Sequence, residues 1–326
     1  MEVTHITISD RPAEGDARHT QAASAPCDVH HRDEIRATRV GGHAYRYFAE
    51  KARSGHVVST FRHGLNIVFD EEAACAWVSV QTLAVPFHPW AVEVPAIPGN
   101  VVVGTPIQTV DSTLILGLRS PHAPVPPTAD HGPQTTDMLL AIHMPHATCH
   151  ELRIAPYTHE EAERALSHLP LLEQFLEKAR AGRPSDPFQP KIDAILERWQ
   201  ATGDSSLLTG LVGLGIGSTP SGDDLLVGMA AGLAAFGEAS DRAGRDLGAL
   251  RRQLLDEDRS RTTPASRQAL EAALEASFPE PLCRLISDLG ACVAHEHRIR
   301  MSITSVLALG ATSGASMLRG LCAAWR

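Results

Sequence analysis

Short apolar runs rich in Val, Ile and Thr, punctuated by Gly and Pro, follow one another through the first half of the chain. They occupy residues 56–61, 65–69, 74–80, 91–97, 101–103 and 113–118, with 138–143 as one more. That pattern predicts β-strands. A short helix is expected from Arg39 through Lys51, and the five prolines of residues 121–133 predict a loop. After about residue 150 the spacing becomes helical: Ala162, Leu166, Leu169, Leu172, Phe175 and Leu176 recur at three- and four-residue intervals, interrupted by Pro170. Further helices are predicted over 191–200, 206–212, 223–236, 241–256, 264–276, 281–295, 300–309 and 313–325. Strands first and helices afterwards predict an α+β protein, not the alternation of a doubly wound sheet. The expected organisation is a flexible tail over 1–36, a β-rich domain over 37–150 and a helical domain over 151–326.

Composition narrows the functional classes. A formal charge of −9 argues against a non-specific nucleic-acid binder, which needs a basic face. Six scattered cysteines without a CxxC pair fit reduced thiols better than a disulfide framework or a zinc site. The longest apolar stretch, residues 225–237, is too short for a bilayer, which takes about 20 residues. With no signal peptide opening the chain, a cytoplasmic protein without a membrane role is expected.

The segment with most chemistry is Leu211-Val-Gly-Leu-Gly-Ile-Gly-Ser-Thr-Pro-Ser-Gly-Asp-Asp224, ahead of a small-residue helix. Gly213, Gly215 and Gly217 permit positive φ and close ligand approach. Pro220 suits a first helical position, Thr219 or Ser221 an N-cap, and Ser221-x-x-Asp224 resembles a capping box. Exposed N–H groups at such a start form an anion site. A well-capped helix needs one hydroxyl and one glycine; three alternating glycines, three hydroxyls and two adjacent carboxylates exceed that. Asp223 stands where a Walker A lysine would be, and Ser218 breaks a dinucleotide fingerprint. Asp223 and Asp224 would instead hold a divalent cation such as Mg2+, or accept hydrogen bonds from an amide or ureido NH2 group. Gly228 and Gly232, four apart, predict a tight helix contact.

Two other segments share this style. Arg261-Thr-Thr-Pro-Ala-Ser266 opens a helix with Thr263 as cap, and Gly310-Ala-Thr-Ser-Gly-Ala-Ser316 opens the last one. Either alone reads as a plain N-cap. Together, the three helix starts would converge on one polar or anionic ligand.

In this order, Gly215-Ile-Gly-Ser-Thr-Pro-Ser-Gly-Asp-Asp224, Thr262-Thr-Pro-Ala-Ser266 and Thr312-Ser-Gly314 resemble the AllH-like family, which includes a subunit of oxamate carbamoyltransferase. The similarity extends from about residue 55, taking in Gly55-His-Val-Val-Ser-Thr-Phe-Arg-His-Gly-Leu-Asn66. The resemblance implies phosphate-dependent carbamoyl transfer from a ureido acid such as oxalurate, giving carbamoyl phosphate, in allantoin and purine-nitrogen catabolism. It also implies two dissimilar partner subunits, of the FdrA and AllG types. Ser218 and Ala311 depart from the family pattern, so no role passes to position 311.

The candidate catalytic residues are Ser221, Asp223 and Asp224. Gly215, Gly217, Thr219 and Ser221 would supply donors to phosphate and a developing oxyanion, with Gly222 as a further substrate-binding position. Arg261, Thr262 and Thr263 would bind the substrate carboxylate, and Thr312, Ser313 and Gly314 complete the substrate site. The competing classes are a non-catalytic assembly subunit and an anion-binding sensor of the same complex. His295-Glu-His297 lies in a predicted helix, where residues two apart diverge by about 200° and cannot share an ion. His143, His146 and His150 read as ordinary polar positions, and Arg62-His63 as a solvent-exposed strand end.

Overall fold

The computed structural model describes residues 32–50, 52–70, 77–97, 101–110, 112–117, 139–144, 147–181, 186–237, 248, 251–252, 261–293 and 295–326. These fall into two compact units, one ending at His150 and the other beginning at Glu151. The architecture is α+β, with strands in the first unit and helices in the second. The predicted loop over 121–133, His146 and most of the predicted helix over 241–256 lie outside the described residues.

The first unit holds β1 (Arg32–Arg36), β2 (Arg39–Gly41), α1 (Gly42–Glu50), β3 (Ser54–Phe61), β4 (Gly64–Phe69), β5 (Trp77–Gln81), β6 (Ala91–Glu93), β7 (Pro106–Val110), β8 (Thr113–Leu116), β9 (Leu139–His143) and β10 (Thr148–His150). They form one sheet in the order β1-β9-β8-β7-β3-β4-β5-β6-β2-β10. The segment 32–41 touches both flanks of this order: β1 pairs with β9 in parallel, and β2 pairs with β6 antiparallel. The sheet is thereby curled, with one short segment reaching both of its flanks. Inward-facing positions, among them Val57, Leu65, Ile67, Phe69, Val78, Val80, Ile107, Leu114 and Ile142, fill the interior together with Phe48 of α1. This segment is tied to β6 by Glu93, whose buried carboxylate accepts from the Thr38 hydroxyl at 2.8 Å and from Arg39 at 2.7 Å.

The second unit holds α2 (His159–Ser167), α3 (Leu169–Ala181), α4 (Gln189–Thr202), a 3-10 segment (Ser205–Leu211), α5 (Ser221–Phe236), α6 (Pro264–Leu274), α7 (Glu280–Gly290), α8 (Glu296–Leu307) and α9 (Ser313–Trp325). Every residue of α5 from Ser221 to Ala235 is buried, so this helix is the axis of the unit. Its main partner is α9. A Cβ on Gly228 would overlap the carbonyl of Met317, and one on Gly320 would overlap the carbonyl of Leu225. The two backbones touch, as the paired glycines of α5 predict. At the far end, Tyr157 packs its ring on Phe236 and Trp325 and donates its hydroxyl to the Ile286 carbonyl at 2.5 Å.

Several expectations need correction. The span expected to be a tail contains β1, and the helix expected from Arg39 starts only at Gly42 because 39–41 pair in the sheet. Residues 101–103 form no strand: Val102 and Val103 are exposed in a turn, and Gly104 takes φ +88°. The strand instead starts at Pro106, where the missing N–H is tolerated at a strand's first residue. Residues 205–211 coil as a 3-10 segment, not an α-helix. β10 carried no sequence signal beyond its three residues.

Candidate functional site

The loop between the 3-10 segment and α5 is built around Asp223. Its buried carboxylate reaches back ten residues: Oδ1 accepts the Gly213 N–H at 2.8 Å, while Oδ2 accepts the Thr262 hydroxyl. Gly213 takes φ +71°, and a Cβ there would overlap the carbonyl oxygen of Arg261, so only glycine fits this crossing. The loop is also tied from the other side, where Thr263 Oγ1 donates to the Ser218 carbonyl at 2.5 Å and caps α6 by accepting the Ser266 N–H at 3.2 Å. Burial raises the Asp223 carboxyl above the ordinary carboxylate range, against hydrogen bonds from Thr262, Gly213 and Ser266 that lower it.

Asp224 sits in a different environment. It is 3% exposed, and its Oδ2 has no hydrogen-bond partner. Burial pushes its carboxyl up to about 7; hydroxyls of Ser313 and Thr219 pull it down, and the neighbouring Asp223 charge pushes it further up. Those two hydroxyls lie 3.0 Å apart, joining the loop to the first residue of α9. Gly314 lets that joint close, since a Cβ there would overlap the Val306 carbonyl.

The capping expectation needs revision. Pro220 is the N-cap of α5 and not its first residue, and no side chain caps the helix. Thr219 is turned to Ser313, and Ser221 Oγ donates to Asp186 Oδ2 at 2.9 Å. The Gly222 N–H goes to the Leu214 carbonyl at 2.7 Å, and the Asp223 and Asp224 N–H groups return to Pro220. The start of α5 is thus largely closed by backbone. Gly217, at φ +100°, is exposed at the loop tip with open space around it, and Gly215 lies against the Ser221 N–H.

The structure therefore brings together the loop, Asp223, Asp224, Thr262, Thr263 and Ser313. Arg261 is exposed beside Gly213, and Thr312 is an exposed N-cap of α9 without a side-chain cap bond. A cation would find few ligands here. Both Asp223 oxygens already accept hydrogen bonds from protein donors, leaving Asp224 Oδ2, and no group of three or more His, Cys, Asp or Glu among the described residues is placed to hold a metal ion. His295 and His297 stand at the start of α8, outside any such group.

Sequence reasoning missed a cavity of about 390 Å³ beside Ser221 and Thr312. Arg180 of α3, Asp186, Asp193 of α4 and Arg319 of α9 line it. Arg180, Asp193 and Arg319 sit on otherwise ordinary amphipathic helices and Asp186 just ahead of α4, and no local spacing marks them.

With this geometry in place, residues 211–325 match the family described as oxamate carbamoyltransferase subunit AllH. The match takes in the glycine loop and the starts of α5, α6 and α9, and leaves out the 55–66 stretch and α3 and α4. No curated protein and no solved structure matches the chain. Among the described residues, no helix is long and apolar enough to cross a membrane.

Proposed function

We propose that this chain is a carbamoyltransferase subunit whose second unit handles the carbamoyl group and phosphate, moving carbamoyl from a ureido acid such as oxalurate to phosphate. The observation that carries the reading is Asp224: a buried carboxyl with one free oxygen, pushed up to about 7, beneath two hydroxyls contributed by different helix starts. The family match over the same residues supports it.

In this reading a hydrogen phosphate oxygen attacks the carbamoyl carbon, the bond from that carbon to the ureido nitrogen breaks, and the leaving amide needs a proton. The hydrogen phosphate carries one. A carboxyl near pH 7 exchanges protons in either direction, so Asp224 relays that proton to the leaving nitrogen and returns it in the reverse reaction. Thr219 and Ser313 hydroxyls orient the reacting group, and Asp223 holds the loop in shape. FdrA-type and AllG-type partner subunits complete the enzyme.

Thermal stabilisation of the full chain by carbamoyl phosphate tests this, with phosphate and sulfate as controls. A ligand that binds only the native state adds about 2.7 kcal/mol at a hundredfold excess over its dissociation constant. The reading predicts a larger shift for carbamoyl phosphate than for either control, diminished in Asp224→Asn. Equal shifts for all three ligands, in the chain and in its complex, contradict it.

A further inference from the structure

The cavity behind the helix starts has its own charge arrangement. Arg319 is mostly buried, its side chain 16% exposed, and it contacts Asp193, whose Oδ1 also takes the Gln189 amide at 3.1 Å and lies 3.9 Å from Arg180. One carboxylate therefore serves two guanidinium groups. A guanidinium has five N–H donors in a planar fork, so a single shared carboxylate leaves donor capacity toward the cavity. Burial first, and the neighbouring charges of Arg180 and Arg326 after it, lower Arg319 to about 10.

The other carboxylate of the cavity, Asp186, is turned inward. It accepts the Ser221 hydroxyl at 2.9 Å and the Phe188 N–H at 2.9 Å. Ser221 and Thr312, at the starts of α5 and α9, contribute to the same wall. The remaining wall includes Leu176, Ile192 and Leu225, which suits a flat, small organic body better than a hydrated phosphate. Ser221 and Thr312 line the cavity, and Thr312 precedes Ser313, a hydroxyl neighbour of Asp224, so the cavity lies beside the two helix starts that carry the site proposed above.

We infer that this cavity is the subsite for the carboxylate end of the small acid substrate, with Arg319 gripping the carboxylate and Arg180 supporting it. This rests on the carbamoyl-transfer reading and moves carboxylate recognition from Arg261–Thr263 to α3 and α9. Thr262 is already engaged by Asp223 and Thr263 by the α6 cap, whereas Arg319 has a cavity to face.

The test measures calorimetric binding to the full chain, alone and assembled with its partner subunits. The probes are oxamate, its neutral diamide oxamide and inorganic phosphate. Wild type is expected to bind oxamate at least tenfold more tightly than oxamide. Arg319→Gln should lose at least tenfold in oxamate affinity with phosphate binding unchanged, Arg319→Lys should lose less, and Arg180→Gln should fall in the same direction. In the complex the Michaelis constant for oxamate should rise in Arg319→Gln while that for carbamoyl phosphate stays. Equal affinity for oxamate and oxamide, absence of oxamate binding, or unchanged oxamate affinity in a folded Arg319→Gln or Arg180→Gln overturns the inference. Transfer that persists with an unchanged oxamate constant in Arg319→Gln overturns it while sparing the functional reading; Arg319-dependent oxamate binding in a complex that makes no carbamoyl phosphate does the reverse.

Discussion

Thr219 Oγ1 and Ser313 Oγ meet at 3.0 Å although 94 positions separate them in the chain. That contact joins the glycine loop to the last helix directly above Asp224. It shows how buried helix packing, set by α5 against α9, positions hydroxyls that the sequence alone leaves far apart.

Stability should fall with pH through Asp224. Its folded carboxyl titrates near 7 and its unfolded one near 3.8, so between these values the native state binds more protons than the unfolded state. The stabilisation from this group is full below about pH 4 and is lost as pH rises through about 7, by up to about 4 kcal/mol. Urea unfolding of Asp224→Asn against wild type should show the variant gaining in relative stability from pH 4 to pH 8. A difference that does not change with pH contradicts the assignment.

Asp223→Ala should be destabilising by about 3 kcal/mol, since the Gly213 N–H and the Thr262 hydroxyl lose a charged acceptor in a buried setting. Denaturant unfolding measures it. A loss below about 0.5 kcal/mol would mean that the carboxylate does not hold the loop.

Gly228→Ala and Gly217→Ala should behave differently. The added methyl at 228 runs into the Met317 carbonyl, so α5 and α9 must separate and the melting temperature should drop sharply. At 217 the surroundings are open and the cost is backbone strain at φ +100°, about 1–3 kcal/mol. Thermal unfolding of the two variants side by side checks the order.

Thr263→Ala removes the α6 cap and the donor to the Ser218 carbonyl, for a loss of about 1–2 kcal/mol. Thr263→Ser, which keeps the hydroxyl, should recover most of it. Equal losses in both would place the effect in the methyl group's packing.

Much of this was legible beforehand. The switch from strand to helix periodicity near residue 150 gave the α+β class, because both periods are written in which positions are apolar. The glycine and hydroxyl content of 211–224 marked the loop, and Gly228 and Gly232 marked the contact with α9. The capping scheme was misread because Thr219 and Ser221 have the chemistry of caps but find partners from distant segments, Ser313 and Asp186. The adjacent carboxylates looked equivalent; only tertiary packing separates Asp223, with both oxygens engaged, from Asp224, with one oxygen unpartnered. Arg180, Asp193 and Arg319 were invisible for the same reason, since an ion cluster spread over three helices has no local pattern.

The most direct measurement is carbamoyl phosphate formation from oxalurate and phosphate by the full chain assembled with its partner subunits, wild type against Asp224→Asn, with assembly and folding checked on the same samples. General acid–base catalysis contributes about 10²–10⁴-fold, so turnover should fall by at least a hundredfold while the complex stays intact. Undiminished turnover in an intact Asp224→Asn complex would contradict the assignment of the proton relay to this carboxyl, and loss of assembly without loss of turnover per assembled complex would make the residue structural.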